Sequence, residues 1–166
     1  MRKIIKTGKQ ILSPLNFKMI FWAGLISGTL DAIASSSIFY FKLGLHPGQV
    51  MQFVASAVFG PEAFKGGLPM VITGTVAHYL ISFAFAGFYF LIFPYLKITR
   101  SNPLGAGILY GGFIWMFMNL GVMPLSAVQA PPFELIGALV SIICHMILVG
   151  LPISLIAKRQ DDSVHS

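Results

Sequence analysis

The chain has 166 residues, of which 56% are hydrophobic and only 10% charged, with a formal net charge of +6. Soluble domains carry about a quarter charged residues, so this composition excludes an ordinary water-soluble fold and points to lipid. The basic excess does not indicate nucleic acid, because the lysines and arginines gather at the ends of apolar segments and form no stripe that could follow phosphates.

A hydrocarbon core of about 30 Å needs roughly 20 helical residues. Residues 1–17 form a basic N-terminal segment containing Arg2, Lys3, Lys6 and Lys9, and the first span is expected over 18–41. Ala32-Ile33-Ala34 before Ser35 resembles a signal-peptide cleavage site. Asp31 just before it and the resumption of apolar sequence at Ile38-Phe39-Tyr40-Phe41 favour a retained span instead. After Pro47, the apolar Val50, Phe53, Val54, Ala57 and Val58 recur at helical spacing, with Gln49, Gln52 and Ser56 on the other face. This predicts a short amphipathic helix over 47–59, lying along the membrane interface or capping the bundle, and ended by Gly60-Pro61.

Gly66-Gly67 and Pro69 open a second span over 68–93, and Pro94 ends it. Pro103 opens a third over 104–123, closed by Pro124; Pro131-Pro132 precedes a fourth over 134–157. Proline suits a helix's first turn and disrupts its interior, which makes these boundaries physical. Lys158-Arg159 begins a short polar tail, 158–166, expected to be irregular and cytoplasmic. The expected fold is an all-α transmembrane four-helix bundle. With the N-terminus inside, nine of the eleven Lys/Arg residues are cytoplasmic and only Lys42 and Lys65 lie outside, so the positive-inside rule favours N-in and C-in. Trp22, Tyr40, Tyr89 and Tyr95 fall near span ends, as interfacial anchors do.

Helices in lipid associate through close packing of small residues. Each span has such a face, and each face also holds that span's most polar side chains. Gly24 and Gly28 continue into Asp31 and Ser35; Gly74 continues into His78, Ser82 and Ala86. Gly107 and Gly111 flank a stripe of Gly112, Trp115 and Asn119, and Gly137 continues into Ser141 and His145. At about 1.5 Å per residue, Asp31, His78 and His145 lie about 20, 22 and 18 Å from the cytoplasmic ends of their spans. These three define a polar centre, with Asn119 nearer the outer end.

Intramembrane ionisable groups are costly, and they mark proton or solute paths. Two histidines and a carboxylate also form an acceptable metal ligand set, although no HExxH or similar spacing is present. His78 and His145 could equally serve as haem ligands, or the cluster could simply fix packing. No Walker loop, dinucleotide fingerprint or GxSxG elbow appears, and no cofactor is expected. Cys144 is the only cysteine, so no intramolecular disulfide can form.

Gly24-Leu25-Ile26-Ser27-Gly28-Thr29-Leu30-Asp31, Phe59-Gly60-Pro61-Glu62-Ala63-Phe64, Ala77-His78-Tyr79 and His145-Met146-Ile147-Leu148-Val149-Gly150-Leu151-Pro152 resemble segments of small uncharacterised bacterial membrane proteins. The resemblance spans Gly24 to Arg159 and extends distantly to the YagU-like inner-membrane proteins. It implies a bacterial multi-pass protein of four helices and no particular activity. The leading expectation is therefore a non-enzymatic inner-membrane protein whose polar centre contacts a small solute, ion or proton. The alternatives are an accessory subunit whose small-residue faces bind a membrane-protein partner or a second copy, and a metal-dependent membrane enzyme.

Overall fold

Two kinds of residue set the limits of the helices in the computed structural model, which describes residues 16–92, 95, 97–128 and 134–165. Asparagine side chains cap the starts of two of them, and glycines end two, at Gly44 and Gly60. The basic residues before position 16, together with Pro94 and Pro131-Pro132, lie outside the described residues. Helix α1 (Phe17–Leu43) begins at Asn16, whose side chain accepts from the Lys18 N–H, and ends at Gly44 in the left-handed conformation (φ 68°). Helix α2 is Pro47–Phe59, followed by a 3-10 segment, Gly60–Lys65, and then α3, Gly67–Ile92. A short helical turn, α4 (Lys97–Ser101), leads to α5, which runs Pro103–Leu125 with Asn102 capping the Gly105 N–H. Helix α6 spans Leu135–Arg159, and its backbone stays helical to His165. The tail expected to be irregular is thus helical over most of its length, since no glycine or proline follows Pro152 to stop it.

Four of these helices, α1, α3, α5 and α6, are long and apolar enough to cross a membrane, and no strand occurs among the described residues. They alternate in direction, so Phe17 and Arg159 lie at one end of the bundle, the terminal end, while α2 lies at the other. The outward faces are apolar: Ile72, Leu80, Leu109 and Ile136 are each more than half exposed. That is the surface a lipid bilayer covers.

Helices α5 and α6 both depart from α-helical winding, through π turns at Phe117–Val122 and His145–Gly150. Each π turn ends two residues before a proline, Pro124 or Pro152. A proline in a helix lacks its N–H, and its ring collides with the carbonyl four residues back. Widening the preceding turn relieves that collision while keeping the remaining backbone groups bonded. Pro124 therefore sits inside the last turn of α5, one residue short of its end.

The terminal half of the bundle is closely packed. Ala23, Ala86, Tyr89, Phe90, Tyr110, Ile114 and Ile153 form its buried core. Tyr89, read from sequence as an interfacial anchor, is instead 1% exposed and packs against Tyr110 with ring centroids 4.7 Å apart and the rings tilted by 59°. The Ser154 hydroxyl donates to the Pro103 carbonyl at 2.7 Å, which leaves its oxygen to accept from Tyr89 at 2.7 Å. Tyr110 donates to the Phe85 carbonyl at 2.6 Å. Hydroxyls near a span's end can thus close onto neighbouring helices, and here that satisfies them better than the interface would.

Helix α2 caps the bundle, packing on α3 with its closest approach where Gly74 meets the Met51 carbonyl. The expected division of its faces fails. Gln52 and Ser56 are buried, whereas Val58 is 74% exposed. Gln52 reaches the Gly67 carbonyl at 3.4 Å and Ser56 turns back to the Phe53 carbonyl at 2.7 Å. These bonds lower the cost of burying the two side chains, while Val58 at this end of the bundle can meet lipid. At its far end, the Ala57 carbonyl accepts from the Ala127 N–H at 2.9 Å, which ties α2 to the segment after α5.

Candidate functional site

Backbone packing places the polar residues. In α1, Gly24 abuts the Phe83 side chain and backbone, and Gly28 leaves room for Ser82 and Tyr79. This close pairing of α1 with α3 lets His78 Nε2 donate to the Gly28 carbonyl at 2.8 Å, with the Thr29 and Tyr79 hydroxyls 2.9 Å apart beside it. Gly107 lies against Gly150 and Leu151, and Gly111 against the His145 carbonyl and Met146. Gly112 faces only the tip of Met146. The α5–α6 contact therefore runs directly into the π turn that begins at His145. Gly150, which that contact requires, was not among the expected packing residues; its signal was the small-residue spacing of four to Ser154.

Gly137 has a different role from helix packing. A Cβ there would stand 2.6 Å from Lys42 Nζ. The missing side chain makes room for the ion pair between Lys42 at the end of α1 and Glu134 at the start of α6. Ser141 also acts through its polar atoms: its hydroxyl accepts from Trp115 Nε1 at 3.1 Å, and its carbonyl accepts from His145 Nδ1 at 2.9 Å.

Away from the tightly packed terminal half, the helices line a partly open cavity of about 720 Å³ that reaches from Val149 and Ile114 to the Lys42–Glu134 pair. Asp31, His78, His145 and Asn119 all line it, and Val50, Phe53 and Val54 of α2 cover it. Within the cavity Asp31 Oδ1 lies 3.7 Å from His145 Nε2, with the two side chains 20% and 16% exposed. His78 is held a turn nearer the terminal end by the Gly28 carbonyl, so the expected trio is a facing pair with a separate third member. Asn119 stands on the α5 π turn, its amide donating to the Trp115 carbonyl at 2.9 Å and its own carbonyl oxygen unpaired among the described residues.

The chemistry of the pair follows from its hydrogen bonds. A carbonyl only accepts, so the bond to Ser141 requires the proton on His145 Nδ1. In the neutral ring Nε2 then carries a lone pair, and it faces an Asp31 carboxylate that is also an acceptor. No described residue donates a hydrogen bond to that carboxylate. Two acceptors 3.7 Å apart call for a proton on one of them or for a donor between them. Among the described residues no three His, Cys, Asp or Glu side chains gather as a metal site would need. The distance of His78 from the pair is the reason.

No protein-family model matches the chain, and neither a curated protein nor a solved structure does. The description that stands is that of a chain with four helices able to span a membrane, around a partly open cavity lined by a carboxylate and two histidines.

Proposed function

We propose that the chain is a bacterial inner-membrane protein, N-in and C-in, that binds a proton or a small cationic solute at the Asp31–His145 pair and so brings it to the membrane centre. The facing acceptors at 3.7 Å carry this reading, because together they suit a hydrogen-bond donor and the carboxylate favours one that is positively charged. The orientation rests on the sequence, in which nine of the eleven basic residues precede or open the first span, separate the second from the third or follow the fourth. An accessory role through small-residue faces has less support. Gly24, Gly28, Gly74, Gly107 and Gly111 all contact helices of this same chain, so a partner would need another surface.

Proteoliposomes containing a pH-sensitive dye test the proposal, alongside a thermal-shift series with cationic solutes. The expected result is proton flux or cation-dependent stabilisation that disappears in Asp31→Asn and in His145→Ala. If neither substitution alters flux or stabilisation in protein that remains folded and monodisperse, the reading fails.

A further inference from the structure

Building on that reading, we infer that the natural guest is a small organic ammonium ion carrying an apolar body, with its N–H groups bridging Asp31 and His145. The size and composition of the cavity argue for this over a bare proton or metal ion. About 720 Å³ would hold on the order of twenty water molecules, and it falls within the roughly 300–1,000 Å³ typical of organic-ligand pockets. Most of its wall is apolar, which suits a hydrocarbon body and gives an inorganic ion nothing to replace its hydration shell. No third His, Cys, Asp or Glu side chain among the described residues joins the pair to complete a coordination sphere.

The charge of the wall agrees. Lys42 is committed to Glu134 at one end, so with neutral histidines Asp31 leaves the cavity one negative charge in excess. Trp115, Phe39, Phe53 and Phe85 also line it, and aromatic faces attract an ammonium ion. One nitrogen can stand at ordinary hydrogen-bond distance from both Asp31 Oδ1 and His145 Nε2, and the unpaired Asn119 oxygen offers a further acceptor. That arrangement requires N–H bonds. A quaternary ammonium ion of the same body has none, and an alcohol of the same shape brings no charge.

The native fluorophores allow a direct test. The chain has two tryptophans: Trp115 lines the cavity, whereas Trp22 lies near the terminal end and is 46% exposed. In the full-length Trp22→Phe protein in lipid nanodiscs, phenethylamine should quench Trp115 saturably. 2-Phenylethanol and the trimethylated quaternary analogue should each bind at least tenfold more weakly. Asp31→Asn should weaken phenethylamine at least tenfold without lowering the melting temperature. Ala138→Phe, which places a ring in the cavity from its wall, should abolish quenching. Equal binding of amine and alcohol, or of amine and quaternary analogue, overturns the inference. So does the absence of quenching; if proton flux still depends on Asp31 in that case, the wider proposal survives alone. Loss of both together overturns the two.

Discussion

The two halves of this bundle are built from the same four helices and use them in opposite ways. Toward the terminal end, hydroxyls are paired and buried: Tyr89 to Ser154, Ser154 to Pro103, Tyr110 to Phe85. Toward α2, prolines force π turns, α5 and α6 change register, and Asp31 faces His145 across a cavity without a hydrogen-bond donor. A membrane bundle gains little from burying apolar surface in lipid, so its stability comes from packing and satisfied polar groups. The terminal half concentrates those contributions. The α2 half leaves polar capacity unfilled, and that is the condition for binding a guest.

Breaking the close contact between α5 and α6 should have the largest effect. Gly111→Leu drives a side chain into the His145 carbonyl and the Met146 backbone, which no rotamer change can avoid. A loss of about 3 kcal/mol is expected from such overpacking, read as a lowered thermal midpoint in bicelles. An unchanged midpoint would mean that the α5–α6 approach does not hold the bundle. Ser154→Ala comes next, removing one hydroxyl but leaving Tyr89 and the Pro103 carbonyl without this partner. About 1–3 kcal/mol should be lost by the same measurement.

Across the divide the sign should reverse. Asp31→Asn removes a charge that lacks a donor, so stability is expected to be unchanged or to rise by about 1 kcal/mol. A marked destabilisation would show that the α2 half relies on its polar centre for structure and would erase the contrast. The smallest effect belongs to Lys42→Met, because an ion pair this exposed contributes about 0.5 kcal/mol. Its consequence should appear in access instead. In a Cys144→Ala background, a cysteine replacing Ser35 in the cavity wall should react faster with a charged thiol reagent once Lys42 is replaced. A cysteine replacing the fully buried Ser154 should not react at all.

Much of this was legible in the residues themselves. Gly66-Gly67 and Pro103 mark helix starts through local chemistry, and the spacing after Pro47 marks α2. Gly24, Gly28, Gly107 and Gly111 announce close approach because only small residues permit it. The site was legible in part. Asp31, His78 and His145 share a depth by simple counting along straight helices, but counting cannot say which histidine faces the aspartate. The π turns shift the register of α5 and α6, and their signal, Pro124 and Pro152, reads from sequence only as a boundary or a kink. Tyr89, Gln52 and Ser56 were misjudged for a related reason. Whether a polar side chain is buried depends on a carbonyl or hydroxyl supplied by another helix or turn.

By itself, then, the sequence determined the environment: four apolar lengths, their breakers and the small polar-bearing face of each. Those properties follow from composition and from contacts within a few residues. Only the tertiary structure decided that Asp31 meets His145 while His78 turns to the Gly28 carbonyl, that Gly137 makes space for Lys42, and that α2 roofs a cavity. Each of these depends on how two helices slide and rotate against one another, and that is set by pairs of backbones in contact.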